Sequence, residues 1–453
     1  MRRFRPLLAG LLLGAALVTG ANAAEPPPPA SPPPSPLEGE LTPLGAIRAA
    51  NGPRTIPAWT GGLTVPPKDY VPGQPHPDPF VDDTRWFTVQ AQELDRFAIR
   101  LTGGLKALLR KYPSSFEIPV YLTRRTAALP QRVYDETIAN SRRATLIENG
   151  LGVRDARVGV PFPIPKTGAQ AMWNHVLRWR GDTLTRFDGI AVPDAHGNAA
   201  VTMYREETLS PYTAGMGDAI GRYYRRVGVK PRELAGGTLL LHLSLDPLRR
   251  PFAGWYRPPG EPRVLRAPDY AYDTLDPATD GIRTADMRDM FSGMMDRFDF
   301  NLAGRREMYV PYNAYRLNGA SLVLPDLLWA SHPNPAFLRY ELHRVWVVEA
   351  TLKPGLRHGL PRRVYYIDED SWQIAMADHY NDAGELVRYA EAHGIQLSHV
   401  PAFLPTMEFT FDIPGGRYMA NGIDNTEKPP LFDRPMKVEE FSAEYLLERV
   451  SKR

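Results

Sequence analysis

Histidines, carboxylates and hydroxyls are the side chains that could carry chemistry here, and their spacing supplies little of it. The ten histidines are scattered along the chain. One pairing with an acid, Glu341-Leu342-His343, sets both groups on the same face of a strand, because alternate residues align there. For His343, and for His175 beside Trp173, a hydrogen-bonded structural role is expected rather than an acid–base one. The sequence contains no G-x-S-x-G elbow, H-E-x-x-H pair, Walker loop or dinucleotide fingerprint. Asp273, Asp276 and Asp280-Gly281 have the residue types of a calcium loop but miss the spacing and the closing glutamate of an EF-hand. Aspartate and glycine gather in turns for backbone reasons, so an acidic turn is expected. Cysteine is absent, which excludes disulfides, thiolate catalysis and cysteine-held metals. No catalytic residue, metal or cofactor is assigned.

Apolar side chains offer more. Met287, Met290, Met294 and Met295 fall on helical spacing, and the flexible thioether adapts to variable hydrophobic shapes. Trp173, Trp179, Trp255, Tyr256, Trp346 and Trp372 lie on expected strands or on the helix that would cover them. Aromatic rings bury much area with few rotamers, which suits a preformed apolar pocket. The expected lining is therefore Trp173, Trp179, Trp255, Tyr256, Met290, Met294, Trp346 and Trp372, although each alone is more readily a core residue.

The elements that must position them fall into two textures. Helical signals cluster between about residues 88 and 180. Leu94, Phe97, Ala98, Leu101 and Leu105 keep helical spacing, weakened by Gly103-Gly104. Pro130 can start a second helix, with Asn149-Gly150 as its stop. Thr167 can cap a third, whose Ala169, Met172, Trp173, Val176 and Leu177 follow the helical period until Gly181. Beyond about residue 177 short strands are expected at 199–205, 237–245, 252–257, 262–267, 307–311, 342–352, 363–368, 371–380, 385–390 and 406–412. Trp372, Ile374, Met376 and Tyr380 share a strand face, and Asn381-Asp382-Ala383-Gly384 forms a hairpin turn. Antiparallel strands with helices set apart in sequence indicate an α+β fold with one large curved sheet.

The ends set the location. Arg2, Arg3 and Arg5, an apolar run from Pro6 to Val18, and Ala21-Asn22-Ala23 read as a cleaved signal peptide over residues 1–23. Its three arginines account for the whole formal charge of +3, so there is no polybasic case for nucleic acid. Without a cysteine there is no lipid-modified N-terminus, and a soluble periplasmic protein is expected. Residues 25–36 hold eight prolines in twelve, so 24–40 reads as a disordered linker. A single domain over 41–453 follows, with a wrapping arm (41–80) and the helical segment (88–180). Arginine outnumbers lysine 45 to 9; codon composition is the expected reason, since an arginine excess names no ligand.

Several stretches, among them LTPLGAIRAANGPRTIPAWTGGL (41–63), LTGGLKALLRKYPSSFEIPVYLTRRTAALPQRVYDETIAN (101–140), GVPFPIPKTGAQAMWNHVLRWRG (159–181) and ELHRVWVVEATLKPGLRH (341–358), resemble a bacterial exported family. It is catalogued as domain of unknown function thirteen twenty-nine and grouped with outer-membrane lipoprotein-sorting proteins of the LolA/LolB type. The resemblance covers about residues 40 to 425. It implies an open, unclosed antiparallel β-barrel with helices on its concave side and a cavity for acyl chains or another hydrophobic ligand. It also implies service to a resistance-nodulation-division type exporter and an outer-membrane barrel protein. A lipid carrier or adaptor is the expected function; a hydrolase whose acid–base pair assembles in three dimensions, and a structural envelope protein without ligand, are the alternatives.

Overall fold

The computed structural model describes residues 35–451; the signal peptide expected at 1–23 and most of the proline-rich run lie outside them. Order begins before the end of the expected 24–40 linker. Pro36–Glu38 form a single 3-10 turn, and Leu37 is buried.

Two antiparallel meanders make the main sheet. The first comprises β1 (Thr183–Ala191), β2 (Thr202–Leu209), β3 (Ile220–Lys230), β4 (Thr238–Ser244) and β5 (Ala253–Arg257). The second comprises β6 (Phe298–Pro311), β7 (Tyr340–Leu352), β8 (Arg362–Asp368), β9 (Ile374–Tyr380), β10 (Leu386–Leu397), β11 (Ala402–Asp412) and β12 (Arg417–Ile423). They join where β12 pairs with β1, so the order is β5-β4-β3-β2-β1-β12-β11-β10-β9-β8-β7-β6. Among the described residues no ladder returns β5 to β6, and the sheet stays open. This is the α+β, open barrel-like sheet that the resemblance implies.

Several local expectations stand in the structure. The Asn381–Gly384 turn closes with a hydrogen bond from the Asn381 amide to the Glu385 carbonyl at 3.0 Å. Thr167 caps α3 (Gly168–Leu177), its hydroxyl accepting from the Gln170 amide at 3.3 Å. Pro130 precedes α2 (Gln131–Arg143). Other expectations need correction. α2 stops at Arg143, and Asn149-Gly150 instead turn a small hairpin between 145–147 and 152–154. The helical spacing from Leu94 to Leu105 is interrupted at Leu101, which is extended, and α1 (Gly103–Lys111) starts at the glycines. The Gly103 and Gly104 amides donate to the two oxygens of Asp378, both at 2.8 Å. A Cβ on Gly104 would lie 2.1 Å from the Tyr389 ring, so only glycine lets α1 approach the sheet this closely. Trp372 precedes β9 rather than lying on it, in a left-handed turn at φ +60°. Asp368 closes that turn by accepting from the Ser371 amide and hydroxyl at 2.9 and 2.6 Å.

Both faces of the second meander are covered. On β10, Tyr389 joins the core under α1, while Ala390 and Ala392 join the core under α2 and α3. Helices α2 and α3 thus share one face, and α1 lies on the other.

The arm of residues 41–80 is tied down by buried charge. Arg125 holds both oxygens of Asp370, at 2.8 and 2.6 Å, and reaches the Pro57 carbonyl at 3.2 Å. Arg344 pairs with Glu369 at 3.4 Å and donates to the Ala49 carbonyl. Beside them His343 sits between Glu341 (3.3 Å) and Asp368 (3.5 Å), stacked on Tyr312 with ring centres 3.9 Å apart. Burial alone would push this imidazole toward neutrality. Asp368 and Glu341 outweigh it and raise the pKa from 6.5 to about 9. The structural role expected for His343 is thus that of a buried cation. Its stabilisation should be complete below pH 6.5 and be lost as pH rises toward 9, by an amount on the order of 3 kcal/mol. Urea unfolding of wild type and His343→Asn between pH 6 and 9.5 should show this decline in the wild type and a much flatter profile in the variant.

Candidate functional site

Alternation along the first meander builds the site. Leu184, Arg186, Asp188 and Ile190 of β1 share one face. Glu206 and Thr208 of β2, Arg222 and Tyr224 of β3, and Leu241 and Leu243 of β4 extend it, with Glu408 of β11 and Asn421 of β12 across the junction. Arg178 and Arg180, just past α3, close one side. The irregular segment 268–296 closes the top with Arg283, Arg288, Asp289 and Ser292. They enclose a cavity of about 110 Å3 lined by six arginines and four carboxylates.

The covering segment is held by charge. Asp276 pairs with Arg226 at 3.0 Å and Arg283 at 3.2 Å. Asp286 pairs with Arg363 at 2.8 Å and His358 at 3.1 Å. Asp289 binds Arg178 and Arg180 and lies 3.9 Å from Arg222. Burial works to raise the Asp276 and Asp286 pKa values, but their arginines outweigh it and hold both well below the usual carboxylate range. One expectation gains detail and another is replaced. The aspartates of the expected acidic turn face different arginines, Asp273 toward Arg297 and Asp280 toward Arg417. The methionines share no helix either: beyond a 3-10 turn at Ala285–Met287 the chain is irregular, with Asp289 and Met290 at φ +51° and +63°. The backbone follows the carboxylates to their arginines, not a helical period.

A chain of polar contacts crosses the cavity. Arg186 binds Glu206 at 2.9 Å, the Tyr224 hydroxyl donates to Glu206, and Arg288 donates to Tyr224. Arg283 donates to Asn421 at 3.0 Å, and Asn421 to Glu408 at 3.4 Å. Burial, with Asp289 adding to it, pushes Glu408 up to about 7. Burial and Glu206 raise Asp188 as well.

A second cavity, of about 1000 Å3, lies at a seam. β1 pairs with β12 through Gly189–Ala191, whereas its other end, Leu184-Thr185, pairs with Leu431-Phe432. Where the partners change, Phe187, Ile395, Leu397, Val400, Leu404 and Phe432 give the cavity a mostly apolar wall, with His76, His399, Asp424 and Glu427 among its polar groups. Burial pushes Asp424 up to about 7. Arg186, Leu404 and Pro405 line both cavities.

Most of the residues expected to line a pocket are core. Trp173 donates to the Gly150 carbonyl at 2.8 Å, and Trp372 to the Leu44 carbonyl at 2.9 Å. Trp346 stacks on Trp372, and Arg305 lies over its ring. Trp179 is buried beneath Arg132. Met290 is core, and Met294 is half-buried. Trp255 packs edge-on to His242. Tyr256 does line a cavity, of about 440 Å3, with Tyr204, Arg226 and Tyr270. His175 is structural as expected, its ring against the Asp289 and Trp372 carbonyls. The arginines went unrecognised because β1 and β3 were not anticipated as strands; the signal available was polar or charged residues recurring at every second position, as in Arg186-x-Asp188 and Arg222-x-Tyr224-x-Arg226. One acidic group, His343, Asp368 and Asp370, brings potential metal-ligand atoms within 4.8 Å of one another. Arg125 already engages both oxygens of Asp370, and His343 is held as a cation, so these residues do not fit a metal.

Comparison with known proteins places this geometry among others. A family model described as "Protein of unknown function (DUF1329)" matches residues 88–447. An uncharacterized protein of Pseudomonas aeruginosa is 38% identical over 395 residues, 86% of each chain. Among solved structures, a DUF1329 family protein from Desulfovibrio piger is 13% identical with a TM-score of 0.43, covering 62% of this chain and 97% of its own. A LolA superfamily protein from Nitrosomonas europaea is 11% identical with a TM-score of 0.37, covering 62% and 100%.

Two outcomes test the electrostatics. Asp276→Asn leaves two buried guanidiniums without their carboxylate and should cost about 3–5 kcal/mol in urea unfolding at pH 7. Because Glu408 binds its proton more tightly when folded, unfolding free energy should fall as pH rises from 4.5 to 7. Glu408→Gln should flatten that part of the profile.

Proposed function

The chain belongs to the DUF1329 family, and we propose that it is a periplasmic carrier that shields a lipid or other hydrophobic ligand in the opening of its sheet. The observation that carries this reading is the cavity of about 1000 Å3 with a mostly apolar wall at the β1–β12 seam. Each Å2 of ligand surface buried there contributes about 25 cal/mol, with no covalent step. A sheet that does not close leaves a lateral route for a chain to enter and leave. Among the described residues no helix is long and apolar enough to cross a membrane. Export by the 1–23 signal would put it beside its partners, a resistance-nodulation-division type exporter and an outer-membrane barrel protein.

The test is displacement of a fluorescent fatty acid, together with mass spectrometry of lipids retained on protein purified from native envelope. Val400→Trp, which fills the half-buried wall of the cavity, should weaken probe binding about tenfold, roughly the 1.4 kcal/mol of lost contact, without loss of fold. Neither displacement nor retained lipid in the wild type would rule out the carrier.

A further inference from the structure

The smaller cavity is built for charge, and its balance is incomplete. Six arginines face four carboxylates; adding Arg226 and Asp276 just behind them leaves the same surplus of two positive charges. Arg178, Arg180, Arg186 and Arg283 each have a carboxylate partner within salt-bridge distance. Arg288 does not: among the described residues its recorded polar contact is the Tyr224 hydroxyl, and its Nη1 is buried with no partner. Its guanidinium is held in place from one side, across the Tyr224 ring at 4.5 Å. Arg222 comes no closer than 3.9 Å to Asp289. A buried guanidinium without a counter-ion is costly; Arg288 has none, and Arg222 has only a long contact to a carboxylate it shares with Arg178 and Arg180.

We infer that this cavity is a subsite for a phosphate monoester, the headgroup of an amphiphile whose apolar part lies in the larger cavity beyond Arg186, Leu404 and Pro405. The inference rests on the carrier reading and adds to it the chemistry of the cargo's polar end. Three features select that group. About 110 Å3 is room for one tetrahedral oxyanion and not for an acyl chain; an engineered cavity of about 150 Å3 takes a benzene. A dianion matches a surplus of two positive charges, whereas a single carboxylate leaves one over. Guanidinium forks bind phosphate oxygens bidentately, and Arg222 and Arg288 approach from a strand and from the covering segment. Arg186 stands in the wall common to the two cavities.

Titration calorimetry with dioctanoyl phosphatidic acid, dioctanoylglycerol and inorganic phosphate separates the sources of such a group. Phosphatidate should bind at least tenfold tighter than the glycerol, which lacks the phosphate, and tighter than inorganic phosphate, which lacks the chains. Arg288→Gln should bring phosphatidate to within about twofold of dioctanoylglycerol while dioctanoylglycerol binding itself is unchanged. Thr208→Glu, which places a carboxylate on the half-buried wall of the cavity and leaves every arginine in the sequence, should do the same if Arg288→Gln does not fold. Unchanged phosphatidate affinity in a folded variant overturns the headgroup subsite. Inorganic phosphate binding as tightly as phosphatidate overturns the amphiphile and leaves a free-anion site. Failure of dioctanoylglycerol and of the fluorescent fatty acid to bind the wild type overturns the carrier reading itself, apart from this one.

Discussion

Arginines on the inner face of the first meander have to be neutralised, and the segment 268–296 exists in its observed form to do it. Asp276, Asp286 and Asp289 each reach a different set of partners: Arg226 with Arg283, Arg363 with the His358 imidazole, and Arg178 with Arg180. A covering helix would present its side chains at a fixed pitch and could not meet three such targets. An irregular backbone with left-handed residues at Asp280, Asp289 and Met290 can. Between the carboxylates, Met290, Phe291 and Met295 enter the core under α3, so hydrophobic burial and ion pairing fix the same path. Losing any one of the three carboxylates would leave its part of the segment unseated and loosen the contacts of the other two.

That plug decides what the cavity can do. A greasy lid on the same sheet would have produced an apolar pocket. Here the lid brings its own Arg283 and Arg288 as well as its aspartates, and the net result is an electropositive space beside an apolar one. The separation follows from the sheet. β1 shares only Gly189–Ala191 with β12 before its other end turns to Leu431-Phe432, so the two meanders are hinged along a short ladder. The apolar cavity occupies the place where they part. A polar compartment and an apolar compartment with a common wall form a receptacle for a molecule with two unlike ends.

The second meander has a different job. Its strands are buried on both faces, with α1 on one side and α2 and α3 on the other, and it carries the N-terminal arm through Arg125–Asp370 and Arg344–Glu369. It is the rigid half against which the seam is defined. His343, buried between two acids, belongs to that anchoring and not to catalysis.

Local signals in the chain were enough for the elements whose partners are near in sequence. Thr167 and Pro130 marked helix starts through orphan amides that need a cap or a proline, and Asn381–Gly384 marked a hairpin through the backbone angles it requires. The stretch from 363 to 390 read as strands because Trp372, Ile374, Met376 and Tyr380 alternate onto one face ahead of that turn. β1 and β3 did not, since Arg186, Asp188, Arg222, Arg225 and Arg226 break the hydrophobic alternation that marks a strand. The same residues are the site, so missing the strands meant missing the cavity, and the arginine excess passed as codon composition. Tryptophans such as Trp173 and Trp372 pointed to large buried rings without saying whether they face a void or a neighbour. The sequence by itself determined the fold class, the elements stabilised by local hydrogen bonds, and the absence of thiol chemistry. Tertiary structure decided where charge is concentrated, because a buried arginine is tolerable only through partners delivered from remote parts of the chain, and no spacing rule relates Arg178 to Asp289 or Arg226 to Asp276.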